Sequence, residues 1–187
     1  MNSPRRQEPM KQVCLLTGRP GIGKTSLIKQ AVAQMTCNAG GFYTEEIRNR
    51  GVREGFNLIT LDGKEAVLAH VNTNSPCRVS KYGVDVDALE KVGIPALRKA
   101  IKQCDLVIID EIGKMELFSV NFQKTVTQMI DRGTRILGTI MYNRNPWTDT
   151  IKDHHQVNLL TVTRDNRHQL LTVLTDWLRA TTPLQPQ

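Results

Sequence analysis

The tightest constraint on the fold of this chain is the run Gly18-Arg19-Pro20-Gly21-Ile22-Gly23-Lys24-Thr25, which meets G-x-x-x-x-G-K-[ST] at every fixed position. Gly18, Gly21 and Gly23 permit positive φ and close approach, so successive backbone N–H groups can surround an anion. Pro20 stiffens the loop. Lys24 supplies a mobile charge for outer phosphates, and the Thr25 hydroxyl suits the shell of a Mg²⁺ ion. Such a loop works only between a strand and a helix whose free N–H groups point at the phosphate. Both flanks qualify: Val13-Cys14-Leu15-Leu16-Thr17 is an apolar run suited to a buried strand, and Leu27, Ile28, Ala31, Val32 and Met35 recur at helical spacing after Lys24.

With 187 residues, 40% of them hydrophobic, the chain reads as one domain able to bury a sizeable core. The polar segments 1–10 and 181–187 read as flexible tails. No apolar run suits a leader or a membrane span, so a cytoplasmic protein without membrane contact is expected. Cys14, Cys37, Cys77 and Cys104 form no C-x-x-C pair and no zinc spacing, which predicts reduced, mostly buried thiols. The net charge of +7 comes from scattered Lys and Arg with only 5% aromatics, so nucleic acid is not indicated. Small polyanions account for part of the excess, and a monomer is the expectation.

Phe42 to Arg48 reads as a strand, followed by a turn over Asn49 to Arg53. Asp62-Gly63 between the apolar runs Phe56–Leu61 and Ala66–Ala69 is a hairpin signal, predicting an antiparallel pair added to a mostly parallel sheet. Asp87 with Glu90 three residues on predicts a short capped helix ending near Gly93, and Pro95 the first turn of a second helix to Gln103. Phe122, Val126, Met129 and Ile130 mark a later helix, Arg135 to Met141 the next strand, Val157 to Val162 the last. Leu170, Leu171, Val173, Leu174, Trp177 and Leu178 mark the final helix. Tyr142 to Thr150 reads as a loop at the active edge, with Tyr142 and Trp147 as candidates for base stacking or ordinary packing. His154 and His155 read as surface residues.

The second informative segment is Asp105-Leu106-Val107-Ile108-Ile109-Asp110-Glu111, an apolar strand ending in two carboxylates, the Walker B form. A parallel strand buried on both faces reads as continuous apolar sequence, and its carboxyl end lies where ligands bind. Asp110 is then placed to hold the water shell of Mg²⁺, and Glu111 to activate a water for attack on a γ-phosphate.

Together with the loop, Gly41-Phe42-Tyr43-Thr44-Glu45-Glu46-Ile47-Arg48, Lys81-Tyr82-Gly83-Val84-Asp85 and Asp110-Glu111-Ile112-Gly113-Lys114-Met115-Glu116-Leu117 make the chain resemble the THEP-type, or cancer-related, nucleoside-triphosphatases. The resemblance runs from Lys11 to Arg179 and includes Gly138-Thr139-Ile140 and Asn166-Arg167. It implies a three-layer, RecA-like P-loop NTPase fold, with helices on both faces of the sheet. It also implies Mg²⁺-dependent hydrolysis of ATP, GTP and other nucleoside triphosphates with broad base specificity. Carried over by position, Gly18, Arg19, Pro20, Gly21, Ile22, Gly23, Lys24 and Thr25 would hold phosphate and Mg²⁺. Leu106, Val107, Ile108, Ile109, Asp110, Glu111, Ile112 and Gly113 would form a second nucleotide-facing segment. Glu111 would be the base, and Arg48 and Arg167 candidates for charge stabilisation. Met141 to Pro146 departs from the shorter turn of relatives after Gly-Thr-Ile, which leaves base recognition by that loop outside the resemblance.

Two other classes share the phosphate cradle. A nucleotide or small-molecule kinase needs an acceptor pocket and an Arg-rich lid, and no such lid is legible. A nucleotide-dependent switch, or a nucleic-acid-associated protein, needs no turnover at all. Asp110-Glu111-Ile112-Gly113 satisfies the D-x-x-G of GTPases, but the guanine-reading N-K-x-D is missing after the later strands.

Overall fold

The computed structural model describes residues 10–180, so the two predicted tails lie almost wholly outside it. Five strands build the part of the sheet that carries the loop: β1 (Val13–Thr17), β2 (Ala39–Asn49), β7 (Leu106–Ile112), β8 (Ile136–Ile140) and β9 (Val157–Thr161). They lie in the order β2-β7-β8-β1-β9, and every neighbouring pair is parallel. Beyond β2, antiparallel β3 (Val52–Thr60), β4 (Glu65–His70), β6 (Tyr82–Val84) and β5 (Arg78–Val79) extend the sheet to nine strands. The fold is α/β with a large mixed sheet.

Alternation along the central strands divides the core in two. Val13 and Leu15 of β1 and Val107 and Ile109 of β7 pack on one face with α3 (Ile94–Gln103) and α4 (Val120–Asp131). Cys14, Leu16, Leu106 and Ile108 point to the other face, against α1 (Lys24–Ala33) and α6 (Arg167–Ala180). Strands covered on both sides need no polar face, which is why their sequence is continuously apolar. Among the described residues no helix is long and apolar enough to cross a membrane. Only Cys14 of the four free thiols is buried, and burial pushes it up to about 12; the other three are half-buried at element ends, fewer than expected.

Two local expectations are corrected. The segment after β6 does not break at Gly93: α2 (Val86–Ala88), a π turn (Leu89–Gly93) and α3 follow without a gap. Ile94 N–H bonds Leu89 O, five residues back, so the extra residue absorbs Pro95, which has no N–H to place. The cap is Asp85, whose side chain accepts from Ala88 N–H, while Asp87 pairs with Lys91 on the surface. In the segment read as a loop, Pro146–Lys152 forms α5, started by the Asn145 side chain accepting from Trp147 and Thr148 N–H. Asn at the cap with Pro at the first helical position was the available signal. Trp147 donates to Thr127 Oγ1 at 3.3 Å and packs on the core, so it is no stacking platform for a base.

β7 is approached closely on both sides. A Cβ on Gly41 of β2 would stand 2.1 Å from Ile108 O, and one on Gly138 of β8 would stand 2.4 Å from Ile109 O. Gly41 also has φ +108°, whereas Gly63 in the β3–β4 turn has φ +88° with open space around it. Gly63→Ala is therefore expected to cost only the left-handed backbone penalty, roughly 1–2 kcal/mol. Gly41→Ala adds a backbone clash and should cost clearly more. Urea midpoints at constant m would read the difference, and equal shifts would show that β2 can retreat from β7.

Candidate active site

The loop leaves β1 with Gly18, Gly21 and Gly23 all at positive φ. Helix α1 starts at Lys24 with no side chain capping it, which leaves its first N–H groups to an anion. The helix is held in that orientation by Leu27, Ile28 and Ala31, which bury against α6 and the sheet. Lys24 Nζ donates to Gly18 O at 3.2 Å across the loop and lies 3.9 Å from Glu111 Oε1.

Opposite the loop stands the end of β7. Its register against β8 shifts between Ile109 and Ile112, so one extra residue bulges out where the carboxylates lie. Asp110 is 2% exposed; its Oδ1 accepts from Thr139 Oγ1 at 2.6 Å, and its buried Oδ2 has no well-formed hydrogen bond. Burial pushes the Asp110 carboxyl above the usual carboxylate range, opposed by the hydroxyls of Thr139 and Thr25 and the charge of Lys24. A buried carboxylate oxygen without a donor, beside a hydroxyl and facing a phosphate cradle, suits a hard divalent cation with oxygen ligands. Thr25 and Asp110 are the residues that fit one.

Glu111 reaches the cleft with 40% of its side-chain surface exposed. Dense protein on its other sides raises its carboxyl, Lys24 lowers it, and Asp110 raises it further. Glu116 opens a 3₁₀ turn (Glu116–Phe118) and is 3% exposed. Its Oε2 accepts from Gly113 N–H at 3.0 Å, and burial, then the neighbouring Glu111, pushes its carboxyl up to about 8. The turn is pinned from behind: Ser119 caps α4 through Phe122 N–H and donates to Glu90 in the π turn.

The sequence-predicted residues separate into those that meet and those that do not. Gly18, Pro20, Gly21, Lys24, Thr25, Asp110 and Glu111 line one cleft of about 430 Å³. Leu106, Val107, Ile108, Ile109 and Ile112 are strand core and do not reach it, because β7 is covered on both faces. Arg19 is exposed, Ile22 packs on the core, and Gly113 serves the Glu116 turn. Arg48 is turned away: five residues beyond Tyr43, which pairs with Asp110, it bonds Glu46 Oε2 at 2.8 Å and Gly51 O at 2.8 Å. Arg167 lies against the loop, its guanidinium carbon 2.8 Å from where a Cβ on Gly23 would stand, with a buried Nε lacking a partner. Thr139, Glu116 and Arg53 were assigned no role from sequence. A lone Thr in the apolar strand Ile136–Ile140 was the signal for the first.

A family model described as NTPase matches residues 13–175. The chain belongs to the THEP1-type nucleoside-triphosphatase family. Within that NTPase family, the nucleoside-triphosphatase THEP1 of Thermotoga sp. strain RQ2 is 44% identical over 165 residues, 88% of this chain and 94% of that protein. The human cancer-related nucleoside-triphosphatase is 39% identical, covering 87% of this chain and 94% of the relative. The crystal structure of THEP1 from Aquifex aeolicus superposes with a TM-score of 0.80 at 35% identity, covering 89% of this chain and 98% of that one.

Glu116→Gln retains the acceptor for Gly113 N–H and removes the titration. Since the folded value lies above the ordinary 4.5, the native state holds the proton. The contribution of Glu116 is then intact below about pH 4.5 and lost as the pH rises towards about 8. Relative to Glu116→Gln, the parent should lose unfolding free energy between about pH 5 and 8, on the order of a few kcal/mol, and run parallel above that. Parallel urea-derived curves throughout would refute the raised value.

Proposed function

We propose that this chain hydrolyses nucleoside triphosphates, ATP and GTP among them, to the diphosphate and phosphate in the cleft between Gly18–Thr25 and Asp110–Glu111. The observation that carries the reading is the meeting of Lys24 and Glu111 at 3.9 Å, directly over the open N-terminus of α1. The names of the relatives support hydrolysis over transfer to a second substrate. The strand order β2-β7-β8-β1-β9, with carboxylates two strands from the loop, supports the RecA-like P-loop assignment. Four free thiols are in keeping with a cytoplasmic enzyme.

Loop N–H groups and Lys24 orient the β- and γ-phosphates, so the terminal phosphorus faces Glu111. Thr25 and Asp110 would hold a Mg²⁺ ion bound with the nucleotide, and the ion would supply neutralising charge to the phosphate oxygens. Thr139 fixes Asp110 by occupying Oδ1, which would leave Oδ2 available to a divalent ion. Glu111 accepts a proton from the attacking water as its oxygen bonds to phosphorus and the bond to the β–γ bridging oxygen breaks. Burial raises the Glu111 carboxyl, and the charge of Lys24 opposes that rise. Arg167, lying on the loop at Gly23, is better placed than Arg48 to stabilise developing charge. With Trp147 in the core, no aromatic from α5 selects the base, in keeping with broad specificity.

Glu111→Gln should hold nucleotide as tightly as the parent while kcat for phosphate release drops by roughly 10²–10⁴. Lys24→Ala should lose binding and turnover together with the fold unchanged. If Glu111→Gln weakens binding and leaves kcat alone, Glu111 is not the base. A folded Lys24→Ala that releases phosphate at the parent rate would move the active site elsewhere.

A further inference from the structure

The cleft is longer than a phosphate site requires. Past Asp110 and Glu111 it continues to Thr44, Glu46, Arg53, Phe56, Leu68 and Val79, carried by β2, β3, β4 and β5. These strands lie across β7 from β1, so this compartment lies beyond the terminal phosphate of a nucleotide held by the loop. That relative position rests on the proposed function; the compartment itself does not.

Its walls have a definite chemistry. Both oxygens of Glu46 are engaged, Oε1 by Arg53 Nη1 at 2.7 Å and Oε2 by Arg48 Nε at 2.8 Å. Arg53, then Arg48, hold its carboxyl below the usual range. Two guanidiniums share one carboxylate, an excess of positive charge, and of the two only Arg53 lines the compartment. Arg53 Nε donates to Tyr82 Oη at 3.1 Å, and among the described residues Nη2 makes no hydrogen bond, on a side chain 43% exposed. Around it the surface is apolar: Phe56, held by edge contact with Tyr82 at 5.4 Å between centroids, together with Leu68, Val79 and Met115. Glu111 stands at the inner end, beside the buried Glu116 carboxyl, so an anionic group is favoured at the outer one.

We propose that this compartment is a second ligand site for a small organic anion with a ring-bearing, apolar body. The anionic group pairs with Arg53, and the body lies against Phe56, Leu68 and Val79. A guanidinium with a free donor edge beside an apolar wall recognises that combination and discriminates against a bare anion, which gains nothing from the wall. Occupancy would place the ligand next to Glu111, on the side from which water reaches the terminal phosphate, and so slow hydrolysis without displacing nucleotide.

The test is methyl NMR of Leu68, Val79 and Met115 in the whole chain, with and without saturating ADP, during titration with phenyl phosphate, benzoate or inorganic phosphate. Both aromatic anions should shift these methyls saturably under both conditions, and inorganic phosphate should not. Arg53→Met should weaken binding about tenfold or more. Phe56→Leu should weaken it too, and Lys24→Ala should leave it unchanged. Phosphate release should fall with added aromatic anion at saturating nucleotide. Unshifted methyls, an equal response to inorganic phosphate, parent-like binding in both Arg53→Met and Phe56→Leu, or loss of binding in Lys24→Ala would each overturn the proposal. Absence of phosphate release in the parent would refute the hydrolytic reading alone, since the methyl shifts are read without turnover.

Discussion

The hydrogen bond from Thr139 to Asp110 holds the site in register. It joins the one polar side chain inside β8 to a carboxylate that the sheet has almost entirely removed from water. A buried carboxylate with one oxygen lacking a well-formed hydrogen bond is a costly arrangement for stability alone. The neighbouring strands are built to tolerate it: glycines on both sides let β2 and β8 close on β7 immediately before Asp110, and the bulge after Ile109 turns the acidic pair towards the loop. The apolar strands, the glycines and the bulge all place one oxygen atom opposite a cradle of N–H groups. The arrangement is completed by positive charge that the protein supplies only in part, through Lys24.

Much of this was legible in the sequence because it lies in two contiguous stretches. The loop and the end of β7 each carry their chemistry within eight residues, and the apolar runs beside them identify buried parallel strands. Lys24, Asp110 and Glu111 could be named for that reason. Thr139, Glu116 and Arg53 reach the cleft through strand register or a tertiary turn, and no local pattern encodes which strand lies beside which. Arg48 illustrates the converse: it sits in a motif that carries the family resemblance, yet the β2–β3 hairpin directs it to Glu46 and Gly51. The continuous helix through Pro95 was hidden because a proline normally ends a helix, and a π turn removes that objection only when the residues before it can spare an extra step.

The two halves of the sheet also divide the electrostatic work. Around the loop, cationic groups and open N–H groups face buried carboxylates whose charged forms are disfavoured by burial. On the antiparallel extension the pairs Arg53–Glu46, Arg48–Glu46 and Lys99–Asp62 are surface-exposed and contribute little to folding. The extension is held instead by its strand ladder and by Phe56, Tyr82 and Val84. Its charged groups are therefore free to meet ligand without loss of fold.

The final helix braces α1 through Leu170, Leu174 and Leu178, and its Trp177 Nε1 donates to Lys11 O at 3.0 Å. The first strand and the last helix are thus fastened to one another at the start of β1. Joining them by a short linker and opening the chain in the exposed β2–β3 turn at Gly51 would give a circular permutant with the same sheet, since that turn carries no core residue. The order in which the strands are synthesised would change, while their arrangement around the loop would not.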